Sequence, residues 1–288
     1  MSDNSALITD VADTSFWVAH YRATESARPD AMFRDPFAKL LVGEHGKKIA
    51  ESMSDTGRYT EWAVISRTVM IDRFIDGLVK QGIDTVINLG AGLDARPYRM
   101  NLPSALKWIE VDYPRIIDHK QELLKAEQPR CNLTRVALDL ADRSKRQAWL
   151  AEVAATTQTA LIVTEGVIPY LNLVQVAELA EDLRAHDCFR YWITEYFHPR
   201  VYPYLKKAVR TAQMQNAPFL FYPDDWFGFF ASNGWVSNQL RYLSEIALEF
   251  KRQPPMPLIA KLMMAFLPQK VKQESMRMTG YVVFEPRR

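Results

Sequence analysis

Residues 86–95 read Val-Ile-Asn-Leu-Gly-Ala-Gly-Leu-Asp-Ala, an apolar run that stops on two closely spaced glycines. The pattern predicts a strand that enters a sharp turn and then a helix starting near Arg96-Pro97, where proline is tolerated in the first turn. Glycines at such a turn let the backbone fold back and let a ligand approach with no Cβ in the way. From residue 84 onward short apolar runs alternate with helical ones, with candidate strands at 85–89, 107–112, 133–138, 160–164 and 190–196. Each is short with few internal polar residues, as expected of parallel strands covered on both faces. Between the last two, Asn172 to Gln175 offers a capping box ahead of the helical run LVQVAELAEDLRAH. Alternation of this kind implies an α/β fold with a doubly wound, mostly parallel sheet. Residues 237–243 and 280–285 supply two final strands, joined by an amphipathic connection rich in methionine and proline.

The chain ahead of this sheet shows no convincing strand. Over 65–80, Ile71, Phe74, Ile75 and Leu78 share one helical stripe, Asp72, Arg73 and Asp76 fall on the opposite face, and Gly82 stops the helix. Residues 198–231 interrupt the alternation with Tyr202, Tyr204, Phe219, Phe221, Tyr222, Trp226, Phe227, Phe229 and Phe230. They read either as a helical insertion packed over the sheet or as an aromatic lid over a pocket. A content of 48% hydrophobic and 24% charged residues in 288 supports a sizeable core. The expectation is one domain, 1–288: an N-terminal helical cover (1–83), a ligand-binding core (84–197), an aromatic cap (198–231) and C-terminal strands and helix (232–288).

Thirty-six basic against thirty-four acidic residues give no electrostatic case for nucleic acid as a partner. Two cysteines, Cys131 and Cys188, exclude a disulfide scaffold. The polar, acidic start lacks the form of a signal peptide, and no apolar run reaches eighteen residues, so a cytoplasmic location without a membrane span is expected. No obligate protein partner is evident, and no residue cluster has metal-ligand spacing.

Gly90, Gly92 and Ala95 match the G-x-G-x-x-A form of a dinucleotide site, and Asp112, at the end of the next strand, is placed to accept from ribose hydroxyls. Asp94 at the helix entrance opposes a pyrophosphate, which favours positive potential there. S-adenosylmethionine has a ribose and no phosphate, so it is the favoured cofactor. Arg67 lies in the middle of the apolar stripe, where a guanidinium needs an anionic partner: either Asp94 or Glu165 within the chain, or the cofactor's methionine carboxylate. Glu165 ends a buried strand, where open α/β sheets bind ligands, and can accept from the cofactor's ammonium. Asp139 and Leu140 end the third strand, where Asp139 can accept from the adenine amino group and Leu140 can pack on its ring. Capping the following helix is the competing role for either carboxylate.

In combination the motifs resemble the leucine carboxyl methyltransferase family of class I S-adenosylmethionine-dependent enzymes, which includes tetracenomycin-type polyketide O-methyltransferases. The likeness runs through ESARPDAMFRDPF at 25–37, SRT at 66–68, LGAGLDARPYR at 89–99, EVDYP at 110–114, DL at 139–140 and EGVIPYL at 165–171. The resemblance implies a seven-stranded class I sheet with an N-terminal helical cover and an inserted helical cap. It also implies cofactor contacts from Arg67 to the methionine carboxylate, Gly90 (with Ala91 and Gly92 in the same turn) to the methionine moiety, and Asp112 to the ribose. Asp139 and Leu140 are implied at the adenine and Glu165 at the amino group. Arg22 is the candidate for a second basic contact, with Arg28 the alternative, and Arg96 and Arg99 match the family pattern.

Methyl transfer from a sulfonium is an in-line displacement that needs alignment and desolvation. A carboxylate acceptor is already ionised at neutral pH, whereas a hydroxyl benefits from a base. Of the five histidines only His198, directly after the fifth strand, is a candidate catalytic base; Tyr170, Tyr196 and His198 are candidates for the acceptor pocket. The expected activity is O-methylation of a carboxyl group on a small metabolite. Hydroxyl methylation, methylation of a protein C-terminus, a nicotinamide-dependent oxidoreductase and a non-catalytic S-adenosylmethionine-binding module are the alternatives.

Overall fold

A computed structural model describes residues 10–52, 54–209, 216–256, 262–263 and 266–287. Residues 1–9, on which the absence of a leader was read, lie outside the described residues, as do 210–215 of the expected cap and 257–261 of the Met-rich connection. The strands are β1 (Thr85–Leu89), β2 (Lys107–Asp112), β3 (Asn132–Ala137), β4 (Ala160–Thr164), β5 (Phe189–Phe197), β6 (Trp235–Tyr242) and β7 (Thr279–Pro286). They form one sheet in the order β3-β2-β1-β4-β5-β7-β6. Pairing is parallel from β3 to β5, and β7 runs antiparallel between β5 and β6. The helices are α1 (Thr14–Ser26), α2 (Ala38–Ser52), α3 (Ser54–Lys80), α4 (Arg96–Arg99), α5 (Pro114–Leu123), α6 (Arg143–Ala154), α7 (Leu173–Arg184), α8 (Tyr202–Val209), α9 (Trp226–Ser232), α10 (Leu243–Glu249) and α11 (Gln269–Met276).

Alternation along each strand divides the core. Ile87, Leu89, Ile162, Trp192 and Phe284 pack against Leu150 of α6, Val176 and Leu179 of α7, and Trp226 and Phe230 of α9. Val86, Leu161, Val163, Ile193 and Val283 face the other way, onto Ile71, Phe74, Ile75 and Leu78 of α3 and Ile246 of α10. Fully burying one such side chain contributes about 1.5–3 kcal/mol. A third cluster joins α1 and α2 to Leu93, Ala95 and Tyr98, so the N-terminal cover sits on the turn after β1. Asn172 and Gln175 complete the capping box of α7, each accepting from the other's backbone N–H at 3.0 and 2.9 Å.

Several expectations need correction. β3 is not covered on both faces: as the edge strand it alternates between exposed and half-buried residues. β6 begins at Trp235, because that indole is buried and donates to the Ala180 carbonyl at 3.0 Å. Asp72 is not on a solvent face, since Arg96 and Arg99 both donate to it. In the aromatic segment, Phe221, Trp226 and Phe230 are buried, and Trp226 stacks on Phe284 with centroids 5.5 Å apart, so these rings fill the core over the sheet. Tyr204, by contrast, is 75% exposed. No helix among the described residues is long and apolar enough to cross a membrane.

Candidate functional site

The strand order reverses between β1 and β4, because the chain builds outward through β2 and β3 and then returns to place β4 on the other side of β1. In open α/β sheets the ligand crevice opens at the carboxyl ends beside such a switch point. The segments leaving those ends are the glycine turn after β1 and the Glu165-Gly166 turn after β4.

Gly90 and Gly92 both hold left-handed backbone, with φ of 68° and 49°. The N–H groups of Gly90 and Ala91 donate to the Val111 carbonyl at 2.8 and 3.0 Å, which folds the turn over the end of β2. Asp112 closes the arrangement, with one oxygen accepting from Gly92 N–H at 2.6 Å and the other from Tyr113 N–H at 2.7 Å. A carboxylate has about four lone-pair sites, so Asp112 keeps acceptor capacity for hydroxyl groups. Burial raises its pKa above the ordinary value. A Cβ on Gly90 would lie 2.5 Å from Val167 Cγ2, and one on Gly92 would lie 3.0 Å from Ser15 Cβ. Gly90→Ala is therefore expected to destabilise the fold through both this collision and about 1–2 kcal/mol of left-handed strain. Denaturant melts of Gly90→Ala alone and combined with Val167→Ala separate the two, because the second change relieves the collision alone.

Beside the turn lies a buried ionic network. The Arg96 guanidinium, only 1% exposed, donates to Asp72 at 2.7 Å, to Asp94 at 2.9 Å and to Glu165 at 2.8 Å. Arg99 grips Asp72 with two nitrogens at 2.7 and 2.8 Å, and Asn88 of β1 donates to Asp94 at 2.9 Å. Arg67 of α3 pairs with the other Glu165 oxygen at 2.9 Å. Of the partners open to Arg67 in sequence, Glu165 rather than Asp94 is the one it meets. Burial alone would raise Asp94 and Glu165, but Arg96 foremost among the guanidiniums holds both below the usual carboxylate range. Asp72 is depressed against its own burial by Arg99 and Arg96. Arg22 is buried, donates to the Leu93 carbonyl inside the glycine turn and pairs with Asp35 at 3.2 Å. Arg28 is half exposed and pairs with Asp30 at 3.1 Å, so Arg22 is the arginine placed at the turn.

The remaining candidates divide. Asp139 is exposed and accepts from Ala141 N–H at 2.9 Å, with half-buried Leu140 beside it beyond β3. The cap of α6 is Asp142, and Glu165 caps no helix, so neither Asp139 nor Glu165 is consumed by capping. Tyr170 packs edge-on against Phe219 at 5.1 Å, and its hydroxyl lies near Thr14 of α1 and feels Arg67 and Glu195. Tyr196 points to the opposite face of β5, against Trp226 and Phe227 in the core. His198 uses Nδ1 to accept from Arg200 N–H at 3.1 Å, capping a single 3₁₀ turn. The elements around the switch point thus bring Arg22, Arg67, Gly90, Ala91, Gly92, Asp112, Glu165 and Tyr170 near one another, whereas Tyr196 packs in the core and His198 has its Nδ1 engaged.

Sequence reasoning missed Asp72 and Glu195. Glu195 is buried in β5 on the α3 face, accepting from Gly166 N–H and, at 3.0 Å, from the Thr194 hydroxyl. Burial pushes its pKa up to about 7. The available signal was a carboxylate inside an otherwise apolar run, sharing strand parity with Ile193.

A Mycobacteroides abscessus protein named "Putative S-adenosyl-L-methionine-dependent methyltransferase" is 33% identical over 186 residues, 59% of this chain and 59% of that protein. The chain thus spans about three fifths of the length of the curated relatives it matches. A DUF574 family protein from Streptomyces avermitilis shares the fold with a TM-score of 0.57 at 14% identity, over 93% of this chain and 96% of that one. A Thermobifida fusca structure described as a "putative methyltransferase" gives 0.56 at 16% identity, over 87% and 93%. The leucine carboxyl methyltransferase model matches residues 15–184, which takes in α1, the glycine turn, the ionic network and the Glu165 turn. More than half of the chain is matched, and the chain belongs to the leucine carboxyl methyltransferase family.

Proposed function

We propose that this chain is an S-adenosylmethionine-dependent O-methyltransferase whose acceptor is a carboxyl group on a small molecule. The observation that carries the reading is the Arg67–Glu165 pair beside a turn with two left-handed glycines, at the β1/β4 switch point. The donor's amino-acid end is a zwitterion, so its carboxylate suits Arg67 and its ammonium suits Glu165. Asp112 has acceptor capacity for the ribose hydroxyls, and Asp139 with Leu140 lies at the next strand end for the adenine. Bound there, the cofactor supplies an electrophilic methyl group on sulfur.

The chain's own residues supply placement. Arg22 ties α1 to the Leu93 carbonyl, and Ser15 of the N-terminal cover and Val167 of the turn after β4 lie beside the two glycines. Carboxyl methylation is supported by the family description and by the chemistry of the acceptor, which is ionised without a base. His198, the base sought for a hydroxyl acceptor, has Nδ1 engaged in capping. Asp94 at the entrance of α4 is held ionised by Arg96 and buried with it, so neither charge is open to a nucleotide pyrophosphate. Both cysteines are free, in keeping with action in the reducing cytoplasm.

Thermal unfolding with S-adenosylmethionine, S-adenosylhomocysteine and NAD tests the cofactor. A ligand that binds only the native state at a hundred times its dissociation constant adds about 2.7 kcal/mol. The two methionine-derived ligands are expected to raise the melting temperature and NAD to leave it unchanged; the reverse pattern would discard the reading. For the acceptor, products from a panel of carboxylic acids and phenols are compared by mass spectrometry before and after mild alkali. Alkali-labile methyl esters are expected, whereas stable ethers alone would move the assignment to hydroxyl methylation.

A further inference from the structure

Glu195 has no part in the roles assigned so far, yet it lies against the residues that have them. It stands in register with Tyr281 across β5 and β7 and is 4% exposed. One oxygen accepts from Gly166 N–H and the other from the Thr194 hydroxyl. Gly166 directly follows Glu165, so Glu195 fastens the turn that presents the donor's proposed ammonium partner.

Charge balance is the second observation. Asp72, Asp94, Glu165 and Glu195 are four carboxyl groups beside three guanidiniums, those of Arg67, Arg96 and Arg99, and the adjoining Arg22–Asp35 pair is itself neutral. The first three each hold an ion pair, and among the described residues no ion pair reaches Glu195. The charged and titratable groups that feel it are Arg67 from α3, Tyr281 from β7 and Tyr170 from the 3₁₀ turn after β4. Arg67 is the one cation in this set. The cluster reaches neutrality when Glu195 keeps its proton. Burial acts in that direction, against the pull of Arg67 and the two backbone and side-chain donors.

We infer that Glu195 is a positioning residue for the methionine end of the donor. As a neutral acid it fixes Gly166 and adds no second negative charge to the Glu165 already paired with Arg67; as a carboxylate it competes with the donor's carboxylate for that guanidinium. The inference rests on the cofactor reading above and makes donor affinity pH-dependent through a group that does not touch the donor.

Calorimetric titrations of the full chain and of Glu195→Gln from pH 6 to 8.5 test it, with two probes. S-adenosylhomocysteine carries the amino-acid end, and 5′-methylthioadenosine lacks it. Glutamine keeps an oxygen for Gly166 N–H and cannot ionise. For the unaltered protein, S-adenosylhomocysteine affinity is expected to fall above pH 7, approaching roughly tenfold per pH unit at most. In Glu195→Gln that slope should be lost, because glutamine does not titrate and the ligand's own α-amino group, beside its own carboxylate, titrates higher. Methylthioadenosine should bind both proteins without a slope. Equal slopes for S-adenosylhomocysteine in the two proteins overturn the inference. If Glu195→Gln does not fold, the unaltered protein still decides, because equal slopes for the two ligands overturn it as well. A protein that binds neither ligand at any pH overturns the cofactor reading and this inference with it, whereas binding with matched slopes overturns this inference alone.

Discussion

Replacing Arg96 by leucine is expected to destabilise the fold by about 3–5 kcal/mol at neutral pH, because it strips a buried guanidinium from several carboxylates at once. Asp72, Asp94 and Glu165 all accept from this one side chain. Asp94 would keep Asn88 and a backbone N–H, Asp72 would keep Arg99, and Glu165 would keep Arg67. None of these replaces a central cation. The melting temperature should fall by on the order of 10 °C. An exposed pair such as Arg28–Asp30 is expected to contribute far less, because solvent screens it.

The pH dependence separates charge from packing. Asp94 and Glu165 have folded-state pKa values below the ordinary ones, so their contribution is present above the unfolded pKa and is lost as pH falls. In Arg96→Leu the main depressing charge is gone and burial raises both groups, so the folded variant takes up protons more readily than the parent. Urea melts at pH 7.5 and 5 should therefore show the stability gap narrowing toward acid. A gap of equal size at both pH values would assign the loss to packing instead.

The same comparison of near and distant partners explains what could be read from sequence. The runs 85–89 and 160–164 were placed to the residue because every position in them is buried, so apolarity itself marks the strand. β3 shows alternating exposure, which weakens the apolar signal and shifts its bounds by one residue. Gly90, Asp112 and Glu165 were found because a parallel sheet collects ligand groups at its carboxyl ends, a rule of position that needs no contact information. Arg67 was found from helical phase, and the same phase put Asp72 on the wrong side. The stripe shows which residues face the sheet, but not that Arg96 and Arg99, more than twenty positions along the chain, reach over to a flanking carboxylate. Glu195 was missed for a related reason: whether a buried carboxyl is ionised depends on cations contributed by other elements, and the nearest belongs to α3.

Arg67→Met is expected to separate the framework from the ligand contacts, since Arg67 and Arg96 share the carboxylate of Glu165. Arg67 is 19% exposed on its side chain, and its removal leaves Glu165 still paired with Arg96 at 2.8 Å. The loss of stability should therefore be smaller than for Arg96→Leu. Donor binding should respond the other way. Truncating one member of a buried charge pair across an interface costs about 2–5 kcal/mol, which converts to roughly 30-fold to several thousand-fold in affinity. S-adenosylhomocysteine should weaken by that range, while 5′-methylthioadenosine, which offers Arg67 no carboxylate, should bind nearly as before. Both titrations can be run on the folded variant. If the two ligands weaken equally, Arg67 acts on the crevice as a whole and its assigned contact is not made. If only the ligand with the amino-acid end weakens, the guanidinium that meets Glu165 in this structure is the one that meets the donor's carboxylate, and Arg96 is left as the charge that holds the crevice in shape.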